Sequence, residues 1–186
     1  MKIKPYVAIF ALVLFVLPRT GFTQEAVLSN MSIANTRDQL LLYLNVKSAF
    51  TDEVEKAILS GVSTTFSFLV VLNRERSFWV DEKIAETTVH HTIKYNNLKK
   101  EFVVSKSWED SRSVTTHSFE EAKELMSKIE GLAIVSLDNL TKGSFYTIKA
   151  RAELEKLTLP LYLHYILFFA SLWDFKTDWQ YVDFTY

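Results

Sequence analysis

Two aspartates four residues apart, Asp174 and Asp178, come nearest to a catalytic pair in this sequence. If a helix continued through them, both carboxylates would share a face, as the paired carboxylates of a hydrolase can. The stronger reading is that they bound an apolar helix, with Trp173 and Trp179 packed around them, because charges commonly end such helices. Histidine offers less. His90 and His91 are neighbours on what reads as a strand, so they point to opposite faces and cannot chelate one metal together. His91 shares its face with Val89 and Ile93 and reads as an inward, hydrogen-bonded histidine. His117 and His164 have no carboxylate or second histidine at ligand spacing. The chain has no Gly-x-Ser-x-Gly turn, no Gly-rich phosphate loop and no cysteine, which leaves out thiolate chemistry, disulfides and lipoprotein acylation. The expectation is no catalytic residue, no metal and no cofactor, with a hydrolase ranked last among the functions considered.

What these residue types do offer is apolar contact. From Leu157 to Trp173 there is no charged side chain, and the block that follows alternates aromatic and acidic residues. Such a stretch must be buried against the domain's own core, a membrane interface, a bound lipid or a partner protein. Thr158 and Pro160 read as a helix start. About 17 uncharged residues, with Pro160 and His164 among them, fall short of the roughly 20 needed to span a bilayer. A core or sheet-packing helix therefore ranks first, interfacial contact second and a span last. The candidate contact residues for a membrane surface or an envelope membrane protein are Tyr162, Tyr165, Phe168, Phe169, Trp173, Asp174, Phe175, Asp178 and Trp179. The alternative is a carrier of a lipid or other apolar ligand, with a pocket between strands lined by Phe66, Phe68, His91, Tyr95 and Trp108.

The elements that must position these residues are mostly strands. Val27 to Ile33 and Leu40 to Val46 flank the turn-forming Asn35 to Asp38 and predict a hairpin. Thr51, Asp52 and Glu53 open a short helix that Gly61 stops. Val62 to Leu72 is rich in β-branched and aromatic residues on both faces and predicts a central strand. Past Asn73 to Arg76, Phe78 and Trp79 lead into a long alternating stretch, and Ala85 to Trp108 predicts an antiparallel hairpin turning at Asn96-Asn97. Ser111 to Thr116 predicts a further strand. Ser118 and Glu121 match a capping box, which predicts a helix running to Glu130 and ended by Gly131. Leu132 to Leu137, Phe145 to Leu154 and a closing stretch from Trp179 to Tyr186 read as strands. The class is α+β, mostly antiparallel β, a β-sandwich-like or curved sheet with two to three helices.

A near-neutral charge of -1 and the absence of any long basic run argue against a nucleic-acid partner. With 48% hydrophobic residues, the chain has enough apolar side chain for one substantial core. Lysines within Met1 to Lys4, an apolar run from Tyr6 to Leu17 and a polar, small-residue stretch to Ala26 have the layout of a secretory signal. Residues 1–26 are thus read as a signal peptide cut between Gly21 and Ala26, with a retained anchor as the alternative, and 27–186 as a single β-rich domain. Location follows: exported, to the periplasm or cell envelope.

Ala49 to Ile58, the Phe66 to Leu72 strand, His-Thr-Ile-Lys-Tyr-Asn-Asn-Leu from His91 to Leu98, and Leu-Trp-Asp-Phe-Lys-Thr-Asp-Trp from Leu172 to Trp179 carry a resemblance. Over nearly the whole of the chain after its N-terminal segment, the sequence resembles a bacterial family known only as domain of unknown function 4390. The resemblance implies a small exported or envelope-associated protein and supplies no activity and no site residues. Together these readings give an exported, non-enzymatic binding or accessory module as the expected function.

Overall fold

The computed structural model describes residues 25–109, 113–155 and 175–186. The N-terminal signal reading, the start of the Ser111 strand, and the helix read from Thr158 to Trp173, with His164, lie outside them.

Period-two patterning produces two open antiparallel sheets. β1 (Val27–Asn35) and β2 (Gln39–Lys47) form the expected hairpin, its turn closed by Thr36 Oγ1 accepting from the Asp38 and Gln39 amides at 3.3 and 3.0 Å. On its other side β2 pairs with β7 (Lys128–Ser136), giving the order β1-β2-β7. The second sheet holds β3 (Thr64–Arg74), β4 (Glu82–Asn96), β5 (Glu101–Lys106), β6 (Ser113–Thr116), β8 (Phe145–Leu154) and β9 (Gln180–Thr185). Its order is β6-β5-β4-β3-β8-β9, so β3 is interior, as its two apolar faces require.

Each passage of the chain between the sheets carries a helical element. α1 (Asp52–Leu59) links β2 to β3, α2 (Phe119–Ser127) links β6 to β7, and a single 3-10 turn (Leu137–Asn139) links β7 to β8. Thr51 caps α1 by accepting from the Val54 amide at 3.4 Å. The Glu53 carboxyl in its first turn is held below the usual range, first by backbone hydrogen bonding and then by the Thr51 side chain. At α2, Ser118 Oγ accepts from the Glu121 amide at 3.3 Å, but the return bond of the capping box is relayed. The Ser118 amide donates to Thr116 Oγ1 at 3.0 Å, and Thr116 in turn donates to Glu121 Oε2.

The structure corrects the far end of this helix. α2 ends at Ser127 rather than Glu130, and Lys128 is already extended. Gly131, read as the helix stop, sits inside β7, where Leu42 faces Leu132 and Tyr43 faces Glu130. It is the extra residue of a β-bulge, with φ +82°. A bulge and a helix end both call for a left-handed residue, so glycine fits either. Pairing of Ile129 with Leu44 on β2 decides the case, because it brings a fully buried side chain onto the core face.

A hydrophobic core lies between the sheets. Leu42, Leu44 and Ile129 come from the smaller sheet, and Phe66, Phe68, Leu72, Ile93, Tyr146 and Ile148 from the larger. Burying each such side chain stabilises the fold by about 1.5–3 kcal/mol. The core gives the molecule two distinct ends. At one lie the β1–β2 turn, the 3-10 turn, the β3–β4 connection and Tyr186, tied together by Leu137 N to Asp38 O (2.9 Å), Glu75 N to Phe145 O (3.0 Å) and Tyr186 N to Ser144 O (3.2 Å). At the other lie α1 and the β4–β5 turn.

Candidate functional site

The β3–β4 connection is built as a rigid base under an apolar tip. The two strands stay paired out to Arg74 opposite Glu82, and both Arg74 and Arg76 place a guanidinium on the Glu82 carboxylate. Those arginines, Arg76 first, hold the Glu82 carboxyl below its ordinary range, and Glu82 in turn raises Arg74. Arg74 Nη1 also donates to Thr141 Oγ1 at 2.9 Å, and Thr147 Oγ1 lies 2.7 Å from Asp183 Oδ1 and 3.1 Å from Glu75 Oε1, with one proton to share between them. Beyond this base stand Phe78, Trp79 and Val80, which are 95%, 82% and 89% exposed. Three consecutive large apolar side chains in water are unfavourable for a surface that has no contact to make. Phe145, 62% exposed, lies at the same end. So does an open apolar cleft of about 300 Å³ lined by Ile33, Leu40, Leu137, Phe184 and Tyr186. Charges around the tip cancel: Arg74, Arg76 and Lys83 stand against Glu75, Asp81 and Glu82.

The tip was not singled out from sequence, where Phe78 and Trp79 read as the lead-in to a strand. The signal that would have found it is the triplet's position between Arg-Glu-Arg and Asp-Glu-Lys, with no alternation within it.

Of the contact residues read from the C-terminal stretch, Tyr162, Tyr165, Phe168, Phe169, Trp173 and Asp174 lie outside the described residues. Phe175 is half-buried and turns edge-on to Phe66, with ring centroids 5.1 Å apart. Asp178 is exposed. Trp179 is half-buried, with Lys149 Nζ 5.1 Å and the Arg151 guanidinium 4.7 Å from its ring, so cations of its own chain already occupy it.

Of the five residues of the sequence-read pocket, Phe68, His91 and Trp108 meet, while Phe66 packs on Phe50 and Phe175, and Tyr95 on Phe102. Phe66, Phe68 and His91 are fully buried and touch one another's neighbours: Phe50 lies 5.2 Å from Phe66, and the His91 ring 4.8 Å from Phe68. His91 is the inward histidine expected. Its Nδ1–H donates to Met126 O at 2.9 Å at the end of α2, and Nε2 accepts from Trp108 Nε1–H at 3.1 Å. Burial pushes its pKa down to about 4; the Met126 carbonyl opposes the shift, and Lys106 and His90 add to it. Tyr95 is tilted against Phe102, with ring centroids 4.6 Å apart, and borders a separate polar cleft.

A second cluster was also missed. Ser67, facing away from the core, meets His90 across the β3–β4 pair and Glu155 just past β8. Ser67 Oγ lies 3.0 Å from His90 Nδ1 and donates to Glu155 Oε1 at 2.5 Å, while His90 Nδ1 lies 2.7 Å from the same Oε1. A serine relay needs serine on one imidazole nitrogen and the carboxylate on the other. Here both crowd Nδ1, so the cluster fixes the ring and its tautomer without preparing a nucleophile. No group of three or more metal-ligating side chains occurs among the described residues, and none of the described helices is long and apolar enough to cross a membrane.

Comparison with known proteins returns one family, described as a domain of unknown function (DUF4390), whose model matches residues 23–183. No curated protein and no solved structure matches the chain.

Proposed function

The chain belongs to the DUF4390 family, and on that footing we propose that it is a non-enzymatic binding module of the bacterial envelope that works at a membrane surface. The exposed Phe78-Trp79-Val80 tip carries the reading. Aromatic side chains with an apolar body settle at the level of lipid headgroups, and a charge-balanced base neither needs nor repels anionic lipid. Export agrees with the signal-like layout of the first 26 residues. The carrier alternative lacks comparable support: among the described residues, Phe68 packs against His91, and Phe66 against Phe50 and Phe175.

Flotation with phosphatidylcholine vesicles tests the proposal, using the chain from Glu25 onward beside the full chain. Replacing both Phe78 and Trp79 by Ser removes about 3 kcal/mol of apolar transfer, so partitioning should weaken about a hundredfold while the fold stays intact. A double variant that floats like the parent would overturn the membrane reading.

A further inference from the structure

On the outer face of the larger sheet, at the end opposite the apolar tip, an open cleft of about 620 Å³ runs over β4 and β5. Thr92, Lys94, Val103 and Ser105 form its floor; Ser60, Gly61 and Ser63, where α1 hands over to β3, make one wall; Asn96 and Asn97 of the β4–β5 turn make the other. Among the described residues, no carboxylate lines it.

Its polar groups divide into those already used and those left over. Thr92 Oγ1 bonds Thr65 Oγ1 at 2.9 Å, Ser60 Oγ donates to Lys56 O at 2.8 Å, and Asn96 Oδ1 accepts from the Leu98 and Lys99 amides at 3.1 and 3.2 Å. Ser63, Ser105, Asn97 and Lys94 make no side-chain hydrogen bond or ion pair to any described residue. Two hydroxyls, an amide and an ammonium thus line one concavity with no bond to another described residue. Gly61 keeps the wall tight: a Cβ there would stand 3.1 Å from Asn97 Nδ2, at a φ of +84° that side chains resist.

The electrostatics choose the ligand class. Lys94 supplies one positive charge, but the wall opposite is the C-terminal, negative end of α1, so the cleft is not a dedicated anion site. Donors and acceptors are interleaved, and hydroxyls and the amide can serve as both. A neutral polyol offers the same mixture. We propose that this cleft binds carbohydrate, with Ser63, Lys94, Asn97 and Ser105 as the recognition set and sugar hydroxyls replacing the water that solvates them. The inference stands independently of the membrane proposal, because it uses none of the same residues.

Amide-resolved NMR titration of the isotope-labelled chain with N-acetylglucosamine, its trimer and cellotriose decides it, with inorganic phosphate as the competing probe. The expected result is saturable shifts with a dissociation constant on the order of 1 mM for at least one sugar, centred on Ser63, Lys94, Asn97 and Ser105. Asn97→Ala and Ser105→Val, both at exposed or outward-facing positions, should each weaken it about tenfold with the rest of the spectrum unchanged. Absence of saturable shifts with every sugar, shifts centred elsewhere, equal affinity in both variants, or a response to phosphate alone would each overturn the proposal.

Discussion

At the scale of single residues, His91 makes the sharpest statement. A neutral ring with its proton on Nδ1 satisfies both partners at once, donating to Met126 O and accepting from Trp108. Protonating Nε2 would set an N–H against the indole N–H. The folded-state pKa of about 4 lies below the 6.5 of an unperturbed histidine. Its contribution to stability is therefore fully present above pH 6.5 and is lost as pH falls towards 4, because the unfolded chain takes a proton that the folded one refuses. The loss over that window reaches about 3 kcal/mol. Urea unfolding at pH 7 and pH 4.5 should show most of it in the parent. His91→Gln should be less stable at pH 7 and show a correspondingly smaller drop between the two pH values. At the tip the contrast is plain: Trp79→Ser should change unfolding stability by less than about 0.5 kcal/mol, since the side chain is exposed, whereas Phe68→Ala, fully buried, should cost about 3–5 kcal/mol by the same measurement.

Elements show where pattern suffices and where pairing must be seen. The alternation in β4, β5 and β8 is visible in the chain because one face of each is buried and a slip by one residue would expose it. The end of α2 is not visible, because Leu125, Met126 and Ile129 continue a helical stripe while Ile129 also fits a strand, and only the pairing with β2 separates the two. Gly131→Ala tests the left-handed position: a φ of +82° should cost about 1–2 kcal/mol in thermal unfolding. Thr116→Val should cost about 1 kcal/mol by removing the relay between the Ser118 amide and Glu121. The apolar tip escaped reading because Phe, Trp and Val carry the same strand propensity whether they enter a sheet or cap a hairpin. The cluster of Ser67, His90 and Glu155 was illegible for another reason: its members are distant in the chain, and only the strand order β4-β3-β8 brings them together.

The whole molecule is organised by its two ends. One collects the apolar tip, Phe145 and the cleft between β1 and β9; the other carries the hydroxyl- and amide-lined cleft. β4 is the element common to both, beginning beside the tip at Glu82 and ending at Asn96 in the cleft wall. At a rise of about 3.3 Å per residue, its 15 residues set the two ends up to about 50 Å apart. With the tip seated among headgroups, β4 becomes a stand-off post. Sugars of lipid headgroups in the same leaflet would lie beneath the reach of the distal cleft, while a glycan strand running a few nanometres above the bilayer would pass at its height.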